Sequence, residues 1–165
     1  MSTADHPNPV APKVPGSAPR ILIISAPYYY HVVDGMLTAA KKIFGDVRAE
    51  VTEVEVAGAF ELPQALAIAL RGPKKFDGFV VLGCVVRGET DHYEFISSAT
   101  MDGLMRLATE NAICLGQAVL TVDTLGQAVA RSHETGSNKG AEAAVACLKQ
   151  INIARMLTTS AVSAG

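Results

Sequence analysis

The chain predicts an α/β domain in which a parallel sheet is covered by helices on both faces, and three observations lead there. From Arg20 onward, short β-branched or apolar runs alternate with longer stretches of helical period. Two of those runs, Ile21 to Ser25 and Gly78 to Val86, are nearly all apolar, as strands become when both their faces are buried. A length of 165 residues gives room for one sizeable core and not for two.

The first nineteen residues carry Pro7, Pro9, Pro12, Pro15 and Pro19 with almost no large apolar side chains, so residues 1–19 are expected to be a flexible tail. The folded domain is expected over 20–158, with 159–165 as a C-terminal tail. Strands are predicted at Ile21 to Ser25, Glu50 to Val56, Gly78 to Val86 and Leu115 to Val122. Between them Val32, Val33, Met36, Leu37, Ala40 and Ile43 recur at helical spacing, as do Leu62, Leu66 and Leu70, and then Phe95, Met101, Leu104, Met105 and Leu107. A short helix is expected from Thr124 to Ala130 and a longer one from Lys139 to Met156, separated by the polar stretch Ser132 to Asn138. Right-handed crossovers place the loops after all the strands on one edge of the sheet, where open sheets of this kind bind ligands.

Composition removes several function classes. Hydrophobic residues make up 49% and charged residues 18%, with mean hydropathy +0.26, which excludes a disordered chain and predicts apolar surface for a partner subunit to cover. A net charge of -2, with no basic run longer than Lys41-Lys42 or Lys74-Lys75, offers no footprint for nucleic acid. The longest apolar runs are about half of what a membrane span needs, so no membrane is expected and the cytoplasm is the expected location. Cys84, Cys114 and Cys147 are odd in number and far apart, fitting neither a disulfide framework nor a zinc site. Neither glycine-rich nucleotide fingerprint occurs, so dinucleotides and nucleoside triphosphates lose their usual cradle.

The candidate chemistry lies in the four carboxyl-edge loops. After the first strand come Tyr28, Tyr29 and Tyr30; a ring there either stacks on a planar ligand or packs on a neighbouring helix or subunit. In the second loop Gly58 permits close backbone approach, and Glu61 stands before Leu62-Pro63, either as a ligand-binding carboxylate or as a first-turn acid favoured by the helix dipole. His92 follows Glu89, Thr90 and Asp91 at a helix entrance, where imidazole is a natural proton shuttle or else a solvated surface residue. No second histidine or cysteine stands at ligand spacing from it, so no metal is expected. Arg131 and Lys139 straddle the polar stretch and are either anion-holding groups or unrelated surface cations.

Taken together, three segments resemble one family: Val56-Ala57-Gly58-Ala59-Phe60-Glu61-Leu62-Pro63, then Leu82-Gly83-Cys84-Val85-Val86-Arg87-Gly88-Glu89-Thr90-Asp91-His92-Tyr93, then Asn138-Lys139-Gly140-Ala141-Glu142-Ala143-Ala144. In order and spacing they are similar to 6,7-dimethyl-8-ribityllumazine synthases, and the likeness runs from about Arg20 to the last helix. It implies a flavodoxin-like three-layer sandwich with strand order 2-1-3-4, pentamers, and active sites shared between adjacent subunits. It also implies the penultimate reaction of riboflavin biosynthesis: 5-amino-6-ribitylamino-2,4(1H,3H)-pyrimidinedione condenses with 3,4-dihydroxy-2-butanone 4-phosphate, losing phosphate and water, with no cofactor. By resemblance, Tyr28 stacks on the pyrimidine, Gly58, Ala59, Phe60 and Glu61 hold the ring and its ribityl chain, and Val85 and Val86 line the pocket. Gly88, Glu89 and Thr90 match the phosphate-side loop, His92 the proton-transfer residue, and Arg131 and Lys139 a phosphate-binding arginine and a pyrimidine-side lysine from the neighbouring subunit.

Three positions depart from the family pattern. Pro27-Tyr28 replaces an arginine followed by phenylalanine or tryptophan, Gln117 stands where many members place an aromatic from the adjacent subunit, and Glu89 replaces a small residue beside Thr90. A flavin-binding or lumazine-binding protein without turnover, and a hollow-shell role, are the alternatives on the same scaffold. Lumazine fluorescence on mixing the two substrates separates the first of these from an enzyme.

Overall fold

A computed structural model of the chain describes residues 8–133 and 138–162. Four parallel strands, β1 (Arg20–Ser25), β2 (Glu50–Glu55), β3 (Gly78–Val86) and β4 (Leu115–Val122), form one sheet in the order β2-β1-β3-β4. This is the order implied by the resemblance. β3 is buried from Gly78 to Cys84 because it lies between β1 and β4 with a helical layer on either side, whereas the edge strand β2 exposes four of its six residues. The register pairs Ile21 with Gly78 and Val86 with Val122, so the carboxyl ends of β3 and β4 finish level.

Among the described residues five α-helices flank the sheet: α1 (Tyr30–Asp46), α2 (Leu62–Arg71), α3 (His92–Glu110), α4 (Leu125–Val129) and α5 (Lys139–Val162). Two apolar clusters fill the layers. Ile21, Ile23, Val80 and Leu82 point toward α1 and α5 and pack on Met36, Phe44, Leu148 and Ile151. Leu22, Ile24, Phe79 and Val81 point the other way and pack on Leu62, Leu66 and Leu104. The alternation of β1 across its pleat thus divides its side chains between the two layers. Gly116 lets α5 come close to β4, since a Cβ there would collide with the backbone carbonyl of Ala143.

Three details depart from the sequence reading. Phe95 and Met105, part of the helical pattern of α3, are exposed, while Thr100 and Leu104 form its buried stripe. The last helix continues past Met156, and past the expected domain end at 158, to Val162. The described part of the proline-rich tail is docked rather than loose. Proline-rich backbone leaves its carbonyls without internal partners, and α5 supplies donors: Asn152 Nδ2 to Lys13 O at 2.9 Å, and Arg155 Nη1 to Pro15 O at 2.6 Å and Ser17 O at 2.9 Å. Residues 1–7 of that tail, 163–165, and 134–137 of the polar stretch lie outside the described residues. No helix among the described residues is long and apolar enough to cross a membrane.

Candidate active site

The crossovers bring one group of the candidate residues to the carboxyl edge. After β1 the chain makes a short 3-10 turn, Pro27–Tyr29, where proline presets the backbone for helix entry. Tyr28 is 77% exposed and Tyr30 is also exposed, whereas Tyr29 turns inward with its ring edge-on to Tyr28, centroids 5.3 Å apart. Burial, followed by the nearby Cys84 and Tyr28, pushes the Tyr29 hydroxyl above its ordinary pKa, so Tyr29 stays a neutral packing residue and Tyr28 and Tyr30 present their rings to solvent.

The loop after β2 makes a second 3-10 turn, Ala59–Glu61. Gly58 is extended, and a Cβ there would sit 3.2 Å from Glu61 Oε2, so the missing side chain leaves room for that carboxylate. The buried Thr100 of α3 donates its hydroxyl to Ala59 O at 3.1 Å, and Gln64 donates to Phe60 O at 3.1 Å. Those bonds fix the loop while Phe60 remains half exposed and Glu61 half buried.

At the end of β3, Val85 and Val86 are half-buried, and beyond it Gly88, Glu89 and Thr90 form an exposed loop leading to His92, the first residue of α3. The His92 N–H donates to Thr90 Oγ1 across a long 3.4 Å, and the imidazole is exposed. The helix dipole at that end offsets only part of the negative charge that Glu89 and Asp91 place on the same exposed loop.

Arg131, Lys139 and Gln117 are not brought to this group. Helices α1 and α5 cover one face of the sheet and α2 and α3 the other, so Lys139 at the start of α5 and His92 at the start of α3 belong to opposite layers. Arg131 Nη1 donates to Gln127 O at 2.8 Å, and Lys139 Nζ pairs with Glu142 Oε2 at 2.7 Å. Gln117 opposes Val81 in mid-sheet, away from the strand ends, and its Oε1 accepts from the Val119 N–H at 2.9 Å.

Two supporting residues escaped the sequence reading. Asn138, buried to 3% exposure, takes the Gly140 and Ala141 N–H groups on its Oδ1 and gives its amide hydrogens toward Ser132 O, His133 O and Gly35 O. With the Lys139 N–H donating to Arg131 O at 2.9 Å, it fixes the spacing of the two cations. The signal was present, since an asparagine just before a helix is a favoured N-cap. Arg87 is the other, and its ion pairs with Glu94 and Asp123 join segments that no local pattern connects.

The fold and its carboxyl-edge loops define an α/β enzyme scaffold of the flavodoxin-like class, with a proton-transfer candidate at a helix entrance and two cations held elsewhere on the same chain. The model of the 6,7-dimethyl-8-ribityllumazine synthase family matches residues 18–155. A protein named 6,7-dimethyl-8-ribityllumazine synthase from Paramagnetospirillum magneticum is 39% identical over 147 residues, 86% of this chain and 98% of its own length. One of that name from Methylobacterium radiotolerans is 39% identical over 150 residues, covering 91% of this chain and 90% of its own length. The protein named 6,7-dimethyl-8-ribityllumazine synthase 1 from Rhizobium meliloti is 40% identical over 142 residues, 84% of this chain and 93% of its own. The chain belongs to the 6,7-dimethyl-8-ribityllumazine synthase family.

Proposed function

We propose that this chain condenses 5-amino-6-ribitylamino-2,4(1H,3H)-pyrimidinedione with 3,4-dihydroxy-2-butanone 4-phosphate at a site formed between two copies, releasing phosphate and water in the cytoplasm. Family membership gives the reaction. The observation that carries the shared site is the division of the candidate residues, with Tyr28, Gly58 to Glu61, Val85, Val86, Gly88 to Thr90 and His92 along one carboxyl edge and Arg131 and Lys139 in the other layer. A ring-shaped oligomer, the pentamer of our reading, offers the second group of one subunit to the first group of the next.

In this reading Tyr28 stacks on the pyrimidine, and the Gly58 to Glu61 segment hydrogen-bonds its ring and ribityl chain. Arg131 of the neighbour grips the phosphate, with Thr90 and the N–H groups at the α3 entrance assisting. The amine attacks the ketone to form an imine with loss of water, phosphate leaves, and ring closure expels water again. Each step moves a proton over a modest barrier, and His92 takes and returns it. Holding the two substrates side by side supplies much of the remaining acceleration.

The test is to mix the purified protein with both substrates and follow lumazine fluorescence, with sedimentation on the same sample. Turnover by an assembly is the expected result. Lumazine binding without turnover would make the chain a carrier, and an active monomer at micromolar concentration would overturn the shared site.

A further inference from the structure

The loop carrying Gly88, Glu89 and Thr90 is closed at its base by one side chain. Arg87 follows β3 directly, and its N–H donates to Val122 O at 2.9 Å, so its backbone continues the sheet ladder. Its guanidinium reaches across the loop: Nη1 donates to Glu94 Oε1 at 2.8 Å, Nε to Asp123 Oδ1 at 3.0 Å, and Cζ stands 4.3 Å from the centre of the Tyr93 ring. Tyr93 and Glu94 follow His92 in the first turn of α3, and Asp123 follows β4. A single planar cation therefore fastens the ends of β3, β4 and α3 together.

Local capping does little of that work. Asp91 makes no side-chain capping bond to α3, and the Thr90 hydroxyl meets the His92 N–H at 3.4 Å. A helix entrance so weakly capped keeps its position through tertiary contacts. Lysine in place of Arg87 would keep a charge but lose the fork and the flat face that spans two carboxylates and a ring.

We propose that Arg87 is the positioning residue of the site, stapling Tyr93 and Glu94 to the strand ends and so setting where His92 stands and how the Gly88 to Thr90 loop opens toward phosphate. Arg87 touches no substrate in this role. The inference rests on the roles given above to His92 and Thr90, and its test separates the two.

Arg87→Ala and Arg87→Lys are assayed with both substrates beside the wild type, their assembly state checked by sedimentation. The expected result for Arg87→Ala is kcat lower by about ten- to a hundredfold, since small misplacements of reacting groups are costly. The Michaelis constant for the butanone phosphate rises with it while that for the pyrimidine holds, and Arg87→Lys recovers only part. Amide hydrogen exchange over residues 88–94 reads the staple without substrate and is expected to run about tenfold faster in Arg87→Ala. Unchanged kinetics in an assembled Arg87→Ala, an equal rise in both Michaelis constants, or unchanged exchange would each overturn the proposal. Where Arg87→Ala fails to assemble, Asp123→Asn removes one arm and must give the same split at smaller size, its absence counting against the staple. A wild-type protein without turnover refutes the functional reading instead, and the exchange measurement still decides whether Arg87 holds the loop.

Discussion

Replacing Asn138 tests how the polar segment before α5 is held. The side chain is buried at 3% exposure and meets five backbone groups, two through Oδ1 and three through Nδ2. Two amide hydrogens satisfy two acceptors fully, and Ser132 O at 2.8 Å and His133 O at 3.1 Å are the nearest. Asn138→Ala removes the N-cap, costing about 1 kcal/mol, and leaves carbonyls of the Ser132 turn short of a donor, costing about 1 to 3 kcal/mol more. The sum is about 2 to 4 kcal/mol, large against the total stability of a domain. Asn138→Asp keeps the acceptor arm and turns a carboxylate on the same carbonyls, so it should lose nearly as much. Urea unfolding at fixed protomer concentration, read as a shift in midpoint at constant slope, measures both changes. A loss below about 0.5 kcal/mol for Asn138→Ala, the size of an ordinary surface substitution, would refute the reasoning.

Four further outcomes follow from the same contacts. His92→Ala should slow turnover by about ten- to a thousandfold with the fold intact, because proton transfer contributes a limited factor and positioning survives; unchanged rates near neutral pH would remove His92 from the mechanism. Arg131→Lys keeps the charge and loses the fork, so the Michaelis constant for the butanone phosphate should rise about tenfold or more while that for the pyrimidine stays, as steady-state assays with each substrate varied would show. Gly116→Ala forces a methyl onto the Ala143 carbonyl and should destabilise by about 2 to 3 kcal/mol in thermal or urea melts. Burial pushes the Cys84 thiol up to about 11 and the Cys147 thiol up to about 12, so both stay protonated in the folded chain after unfolded thiols have ionised. The unfolded state then binds fewer protons, and stability should fall as pH climbs from about 9 toward those values; a flat profile there, in wild type against Cys84→Ala and Cys147→Ala, would contradict it.

The parts of the fold that show in the sequence are those governed by burial on both faces of an element. β1 and β3 stand out because helices cover them on either side, and the helix stripes of α1 and α2 show because each element has one apolar layer to meet. α3 is read less well, since Phe95 and Met105 carry the helical period yet face outward, while the buried Thr100 is polar and spends its hydroxyl on Ala59. The docked tail was hidden for a similar reason. Its partners, Asn152 and Arg155, are polar side chains reaching proline-flanked carbonyls, and composition does not record such bonds. Loop chemistry was legible as far as topology carries it: once the strands are parallel, Glu61 and His92 share an edge. That Arg131 and Lys139 lie in the opposite layer depends on which face each crossover takes, and the Arg87 staple depends on Asp123 ending the neighbouring strand.

In the proposed shared site, charge gives the neighbour's arginine its role. Arg87 is the cation nearest in sequence to the Gly88 to Thr90 loop, and two carboxylates, Glu94 and Asp123, already compensate it. Glu89 and Asp91 add negative charge to the same exposed loop. A phosphate ester approaching Thr90 would therefore meet net repulsion from its own chain, and the dipole at the α3 entrance, about half an elementary charge, is too small to reverse it. Lys139 is paired with Glu142, whereas among the described residues the Arg131 guanidinium donates to a backbone carbonyl, Gln127 O, and to no carboxylate. On that proposal, Arg131 delivered from an adjacent copy supplies the missing positive charge only when the assembly forms. Assembly and phosphate binding would then be a single requirement, and the carboxylate of Glu89 beside Thr90 strengthens it.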